Sequence, residues 1–154
     1  GAAWRPREEI YGNIYDHLSA DFEYANGVRM SSYCRQYPKG SHTNISELVM
    51  GARGKSNCRD MASARSGEEV NPYEAEHTAM AKSIRGDGPY INHAMAVAES
   101  TLTCIMARES AYSGQAITWE QAMNSKLDLQ PKAFDYDLKL DVPPLPVPGE
   151  YKFI

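Results

Sequence analysis

Apolar and polar residues alternate along residues 13–24, where the first clear pattern of the chain lies. Leu18 and Phe22 fall on one side of such a segment, and Tyr15 and His17 fall on the other. A period of two predicts a β-strand with one buried face and one wetter face.

The alternation continues after residues 25–27, whose Ala-Asn-Gly sequence suits a tight hairpin turn. Pro and Gly then predict turns at 38–40 and again at Gly51 and Gly54. Further strands are predicted between these turns, at residues 28–37, 42–50 and 57–61. Residues 13–61 are therefore predicted to form a meander of antiparallel strands.

A helical period replaces the alternation from about residue 71 to 125. Asn71 is a plausible N-cap, Pro72 suits the first helical position, and Glu74 completes a capping box. Gly and Pro at 86–89 end this helix. Its apolar stripe predicts a core-facing side, formed by Tyr73, His77, Met80, Ala81 and Ile84.

Two more helices are predicted before the Pro-rich segment at the end of the chain. Asn92 caps a long helix that ends before Gly114, and Thr118 with Gln121 forms a capping box for a short one. The long helix carries an apolar stripe of Ala94, Val97, Ala98, Thr101, Leu102, Ile105 and Tyr112. Residues 129–154 are rich in Pro, which predicts an extended tail across the surface.

Strands followed by helices predict the α+β class, with an antiparallel-rich open β-sheet and helices on one face. A length of 154 residues suits one domain over 1–154. The hydrophobic share of 42% and the charged share of 23% are typical of a globular protein.

Charge and hydropathy exclude several partners. A formal charge of −4 with scattered basic residues gives no reason to expect nucleic acid. No apolar run reaches the roughly 18–20 residues that a membrane span needs. Three separated cysteines without a CxxC pair argue against a thiolate zinc site. They predict buried free thiols, with one disulfide as the alternative, and a cytoplasmic location is favoured.

No cofactor loop, catalytic set or metal site is recognisable in the chain. The Gly86-Asp87-Gly88 segment follows a helix and has Ile91 where a dinucleotide fingerprint needs its third glycine. The four histidines, His17, His42, His77 and His93, are isolated in sequence. Site predictions are therefore limited to binding.

The polar side of the first strand offers the best binding candidates: Tyr15, His17 and, from a neighbouring strand, Arg35. Hydroxyl, imidazole and guanidinium groups bind polyols through hydrogen bonds. Tyr and Arg are also favoured in subunit contacts, so a subunit interface is the favoured interpretation of this face, and ligand binding is compatible with it on the same surface.

The sequence resembles the C-terminal portion of the Gfo/Idh/MocA oxidoreductases, in the branch that acts mainly on sugars and their derivatives. The resemblance covers nearly the whole chain. It is carried by Gly12-Asn13-Ile14-Tyr15-Asp16-His17, Phe22-Glu23-Tyr24, Asn26-Gly27-Val28, Arg35-Gln36, Glu76-His77, Ser83-Ile84-Arg85, Ala98-Glu99-Ser100-Thr101, Arg108, Ala111-Tyr112, Gly114, Thr118-Trp119 and Val147-Pro148-Gly149.

The resemblance implies a two-domain parent. A Rossmann domain would bind NAD or NADP, and an α+β domain would supply a sheet for a sugar-like substrate and for homo-oligomer contacts. The family's catalytic Glu-Lys-Pro and Asp-x-x-x-His motifs are not found here and are expected upstream of Asn13. No catalytic or cofactor-binding residue is carried over, and the isolated chain is expected to be inactive.

Three hypotheses follow. The chain is a C-terminal fragment of an NAD(P)-dependent sugar oxidoreductase, and its first residue, Gly instead of Met, is typical of a processed or recombinant piece. Alternatively, it is a free-standing carbohydrate-binding or oligomerisation module without catalysis. The third hypothesis is a lyase or hydrolase that uses the polar sheet face.

Overall fold

The computed structural model describes residues 1–4, 13–36, 40–58, 71–140 and 143–154. The described chain divides into two units: unit 1 contains Gly1–Lys39 and Met95–Ile154, and unit 2 contains Gly40–Ala94. The α+β class is confirmed, since these residues form two small antiparallel sheets and three helices. The prediction of one continuous meander is wrong, because the strands belong to two separate sheets.

Unit 1 contains a three-stranded antiparallel sheet in the order β1-β2-β3: β1 is Ala2–Trp4, β2 is His17–Glu23 and β3 is Arg29–Arg35. The hairpin between β2 and β3 turns as predicted, with Gly27 at a φ of 81°. The predicted strands start earlier and end later than the observed ones. Strand β1 was not predicted, because three residues are too few to show a period.

Unit 2 contains a two-stranded hairpin of β4 (Val49–Gly51) and β5 (Gly54–Ser56). The turn predicted at the two glycines is confirmed. The strand predicted over 42–50 is formed only at its end, because the polar segment before Val49 has no alternating apolar face. Residues 57 and 58 of the last predicted strand are not in a strand, and residues 59–61 lie outside the described part.

Helix α1 (Pro72–Arg85) has the predicted Asn71 cap and glycine end. The predicted capping box does not form, because Glu74 Oε1 meets the side-chain amide of Asn71 at 3.5 Å instead of its backbone N–H. The Asn71 side chain accepts a hydrogen bond from the Tyr73 N–H at 3.0 Å, and Gly86 closes the helix at a φ of 78°. The predicted core face is wrong. No residue of α1 is buried, and exposed His77 places Nδ1 at 2.7 Å from the carbonyl oxygen of Tyr73. Helical periodicity identifies an apolar stripe but does not show that anything covers it.

Helices α2 (Ala94–Ser113) and α3 (Trp119–Met123) also begin as predicted. Asn92 accepts a hydrogen bond from the Ala94 N–H at 3.0 Å. Thr118 and Gln121 exchange both hydrogen bonds of a capping box, at 2.8 and 3.2 Å. None of the helices among the described residues is long and apolar enough to cross a membrane.

The core of unit 1 lies at the end of α2. Its most buried side chains include Ala111, Tyr112 and Ser113, together with Ala122 of α3. The tail returns to this point, where the N–H of Gly149 donates to the carbonyl oxygen of Ser113 at 2.9 Å. The described residues after α3 contain no helix or strand, in agreement with the predicted tail.

Candidate functional site

The register of β2 and β3 brings eight side chains to one side of the sheet, here called the polar face. Opposite residues of antiparallel strands lie on the same face and are close neighbours. The facing pairs are His17 and Arg35, Ser19 and Tyr33, Asp21 and Ser31, and Glu23 and Arg29. Every residue of β3 is exposed, so this face lies open along that strand.

Two of the pairs at the turn end of the polar face form cross-strand polar contacts. The Ser31 hydroxyl donates to Asp21 Oδ1 at 2.6 Å, and Arg29 Nη2 donates to Glu23 Oε2 at 3.0 Å. Exposed ion pairs of this kind contribute little to stability. Their main effect is to hold the β2–β3 register that aligns the other two pairs.

At the other end of the polar face, His17 lies opposite Arg35. Asp16 Oδ1 lies 2.8 Å from His17 Nδ1, and their side chains are 9% and 23% exposed. A carboxylate at Nδ1 orients the imidazole ring and leaves Nε2 as the nitrogen that points away from the carboxylate. The Asp16 backbone is held too, because its carbonyl oxygen accepts the Gln36 N–H at 2.8 Å. His17 and Arg35 are thus opposite each other on a fixed backbone.

Tyr15, the third predicted binding residue, lies before β2 instead of within it. Its hydroxyl donates to the Pro146 carbonyl oxygen at 2.6 Å, and its ring centroid lies 5.3 Å from that of Tyr112. This side chain therefore joins α2 to the tail. The alternation of the sequence continues through Tyr15, but the strand does not.

The side chains of the polar face are hydrogen-bonding groups. Among the described residues, no group of three His, Cys, Asp or Glu side chains is arranged to hold a metal ion. The thiols of Cys34, Cys58 and Cys104 are free and exposed, so the prediction that they are buried was wrong. Hydroxyl, carboxylate, imidazole and guanidinium groups lie together on the face, which suits a ligand with several hydroxyl groups.

A second polar group, the buried cluster of Arg108, Glu109 and Tyr151, lies at the end of α2. Glu109 is only 2% exposed. Arg108 Nε and Nη2 both lie 2.8 Å from Glu109 Oε1, and the Tyr151 hydroxyl donates to Oε2 at 2.7 Å. Both carboxylate oxygens therefore have partners, as a buried charge requires.

Sequence reasoning missed this cluster, although a signal was present. Glu109 stands four residues after Ile105 and three before Tyr112, which places it within the apolar stripe of α2. A charged residue on such a stripe is buried when it finds partners. One of those partners, Tyr151, lies 42 positions away in the tail, and no local pattern identifies it.

Titration of the tyrosines is expected to reveal the cluster. Burial, with the hydrogen bond to Glu109, raises the pKa of Tyr151 to about 12 from an ordinary value near 10. The neutral phenol therefore stabilises the fold fully below about pH 10, and this contribution is lost as pH rises through 12. Absorbance at 295 nm should show a tyrosine that ionises late.

Tyr151→Phe is the matched variant for this titration. It should remove the late ionisation and flatten the fall in the free energy of unfolding between pH 10 and 12. A wild-type titration without a late tyrosine, or one that Tyr151→Phe leaves unchanged, would show that Tyr151 is not held by Glu109 in solution.

Comparison of the chain with protein-family models, with curated proteins and with solved structures gives no match. The functional interpretation therefore depends on the resemblance within the sequence and on the geometry of the polar face.

Proposed function

We propose that this chain is the substrate-binding and oligomerisation domain of an NAD(P)-dependent oxidoreductase of the Gfo/Idh/MocA type. The full-length parent transfers a hydride between a carbon of a sugar or sugar derivative and the nicotinamide. In this proposal the cofactor is held by a Rossmann domain that the chain does not include, and the open sheet with its helices is the substrate side.

The placement of His17 opposite Arg35 on the exposed polar face carries this proposal. A sugar presents hydroxyl groups that both donate and accept. The guanidinium supplies donors in a rigid fork, and the imidazole held by Asp16 supplies a donor or an acceptor according to its tautomer.

The same face supports a homo-oligomer contact. Tyr33 is 80% exposed on β3. Tyr and Arg are enriched in the buried centres of protein interfaces, and β3 carries Arg29 and Arg35 at its two ends. A second subunit placed over this face would cover Tyr33 and leave His17 near the edge of the contact.

The first experiment compares cofactor binding by the isolated chain with cofactor binding by the full-length gene product. Titration with NADH, followed by nicotinamide fluorescence, is expected to show no binding to the isolated chain and micromolar binding to the full-length gene product. The full-length protein should also reduce NAD or NADP with a member of a sugar panel. A full-length protein that binds neither cofactor would overturn the proposal.

The second experiment tests the polar face in the full-length enzyme. His17→Ala and Arg35→Ala should each lower kcat/KM for the sugar by about 10- to 100-fold, because a hydrogen bond to a charged group contributes about 1.5–3 kcal/mol. Cofactor affinity should not change. Arg53→Ala, an exposed position between β4 and β5 in unit 2, is the control and should keep normal kinetics.

The alternative is a free-standing carbohydrate-binding or oligomerisation module without catalysis. The exposure of Tyr33 favours self-association in either case. The module is indicated if the encoding gene begins at this domain and its product binds sugars, or associates with itself, without any cofactor-dependent activity.

A further inference from the structure

We propose that a cavity beside α2 in unit 1 binds a small organic acid with an apolar body. The cavity, here called the α2–tail cavity, has a volume of about 540 Å³. It lies among the second half of α2, the end of α3 and the tail, and it is separate from the polar face. The inference does not rest on the proposed oxidoreductase function.

The size and lining of the α2–tail cavity are those of a small-molecule site. Such sites have volumes of about 300–1,000 Å³ and mostly apolar walls with a few placed polar groups. Leu102, Ile105 and Met106 line it from one side of α2, and Leu127 and Phe153 line it from the tail. These walls accept an alkyl or aryl body of ordinary ligand size.

Arg108 is the cation in this wall, and it is already oriented. Glu109 Oε1 takes the guanidinium edge formed by Nε and Nη2, with both distances at 2.8 Å. Tyr151 holds the other oxygen of Glu109, so the carboxylate is itself fixed. The side chain of Arg108 is 35% exposed, which leaves it accessible to a ligand.

The remaining edge of the guanidinium specifies the ligand chemistry. A guanidinium has five N–H donors, and the edge formed by Nη1 and Nη2 is not the one that Glu109 occupies. Two parallel N–H groups match the two oxygens of a carboxylate. Because Arg108 is pre-oriented, little further conformational entropy is lost when a ligand binds.

Asp128 also lines the cavity, but it lies in the exposed part of the wall. One of its oxygens accepts the backbone N–H of Gln130 at 2.9 Å. Its charge is therefore solvated, and solvent screens its repulsion toward an anion at Arg108. The apolar body is expected to lie against Leu102 and Phe153, with the acid group at Arg108.

Octanoate and 1-octanol are the probes that test this inference, because they share an apolar chain and differ in the acid group. Calorimetric titration of the full 154-residue chain should show saturable octanoate binding at one site. Octanol should bind at least about tenfold more weakly. Equal affinities, or no saturable octanoate binding at millimolar concentration, would overturn the proposal.

Two variants locate the binding site. Leu102→Trp adds bulk to the apolar wall of the cavity while Arg108 and Glu109 stay in the sequence, and it should abolish octanoate binding. Arg108→Gln should reduce the affinity for octanoate about tenfold or more while leaving that for octanol unchanged. Arg85→Gln, an exposed site in unit 2, is the charge-matched control.

Far-UV circular dichroism is recorded for each variant. If Arg108→Gln does not fold, the octanoate affinity of Leu102→Trp alone tests the location of the site. Octanoate binding to folded Leu102→Trp with the affinity of the wild type would overturn the assignment of the site.

Discussion

Replacement of Arg108 by Met is expected to lower the free energy of unfolding of the chain by about 3 kcal/mol. The Glu109 carboxylate is 2% exposed, and it would lose the only cation that contacts it among the described residues. Breaking a buried ion pair on one side costs about 3–5 kcal/mol. The lower end applies because the Arg108 side chain is 35% exposed, so water reaches part of the pair.

The double variant Arg108→Met/Glu109→Leu is the informative control. Replacing both members of a buried pair by apolar side chains is often neutral, because no buried charge remains unpaired. Urea unfolding should therefore place the double variant within about 1 kcal/mol of the wild type after the loss of the Tyr151 hydrogen bond is counted. A double variant as unstable as the single one would show that Arg108 acts through packing.

Gly114→Ala is expected to cost about 2 kcal/mol or more. Gly114 ends α2 at a φ of 72°, in the left-handed region, where an L side chain costs about 1–2 kcal/mol. A Cβ built there lies 3.3 Å from the Cβ of Pro148, whose ring cannot turn away. The substitution therefore also pushes the tail from the core of unit 1.

Gly27→Ala is the matched control in the same unit. Gly27 has a φ of 81°, but a Cβ there meets nothing within 4 Å. It should show only the backbone cost, about 1–2 kcal/mol. Denaturant unfolding of both variants isolates the Pro148 contact as the difference between them, and equal losses would mean that the contact contributes nothing.

The ends of the elements were the most predictable part of the fold. The caps at Asn71, Asn92 and Thr118 are local, since each side chain bonds a backbone group two or three residues away. The Asn26-Gly27 turn is local in the same way. Contacts of this kind depend only on adjacent residues, so the sequence predicted them and the structure contains them.

Burial was much less predictable. Tyr73 and Ile84 occupy the apolar stripe of α1, yet they are 74% and 78% exposed. A stripe shows which side could be covered, but coverage depends on residues far away in sequence. The contact of Tyr15 was unpredictable for the same reason, because the Pro146 carbonyl oxygen that accepts its hydroxyl lies 131 positions later.

In the candidate site, too, the features set by neighbouring residues were predictable and those set by distant segments were not. Alternation predicted that His17 faces the polar side of its strand, and the hairpin turn set the register that places Arg35 opposite it. The buried cluster required two distant segments to meet, so sequence spacing could not identify it. The roles of His17 and Arg35 as ligands of a sugar stay a prediction for the kinetic test.

Unit 1 is discontinuous in sequence, because all of unit 2 lies between its two segments. During synthesis the β2–β3 hairpin therefore emerges well before α2 and the tail that complete its core. Until then the hairpin has only its own cross-strand contacts, and isolated hairpins are marginally stable in water. Joining the two segments also requires closing a long loop, at an entropic cost that rises slowly with length. A compact unit 2 that folds early would shorten this loop and speed the assembly of unit 1.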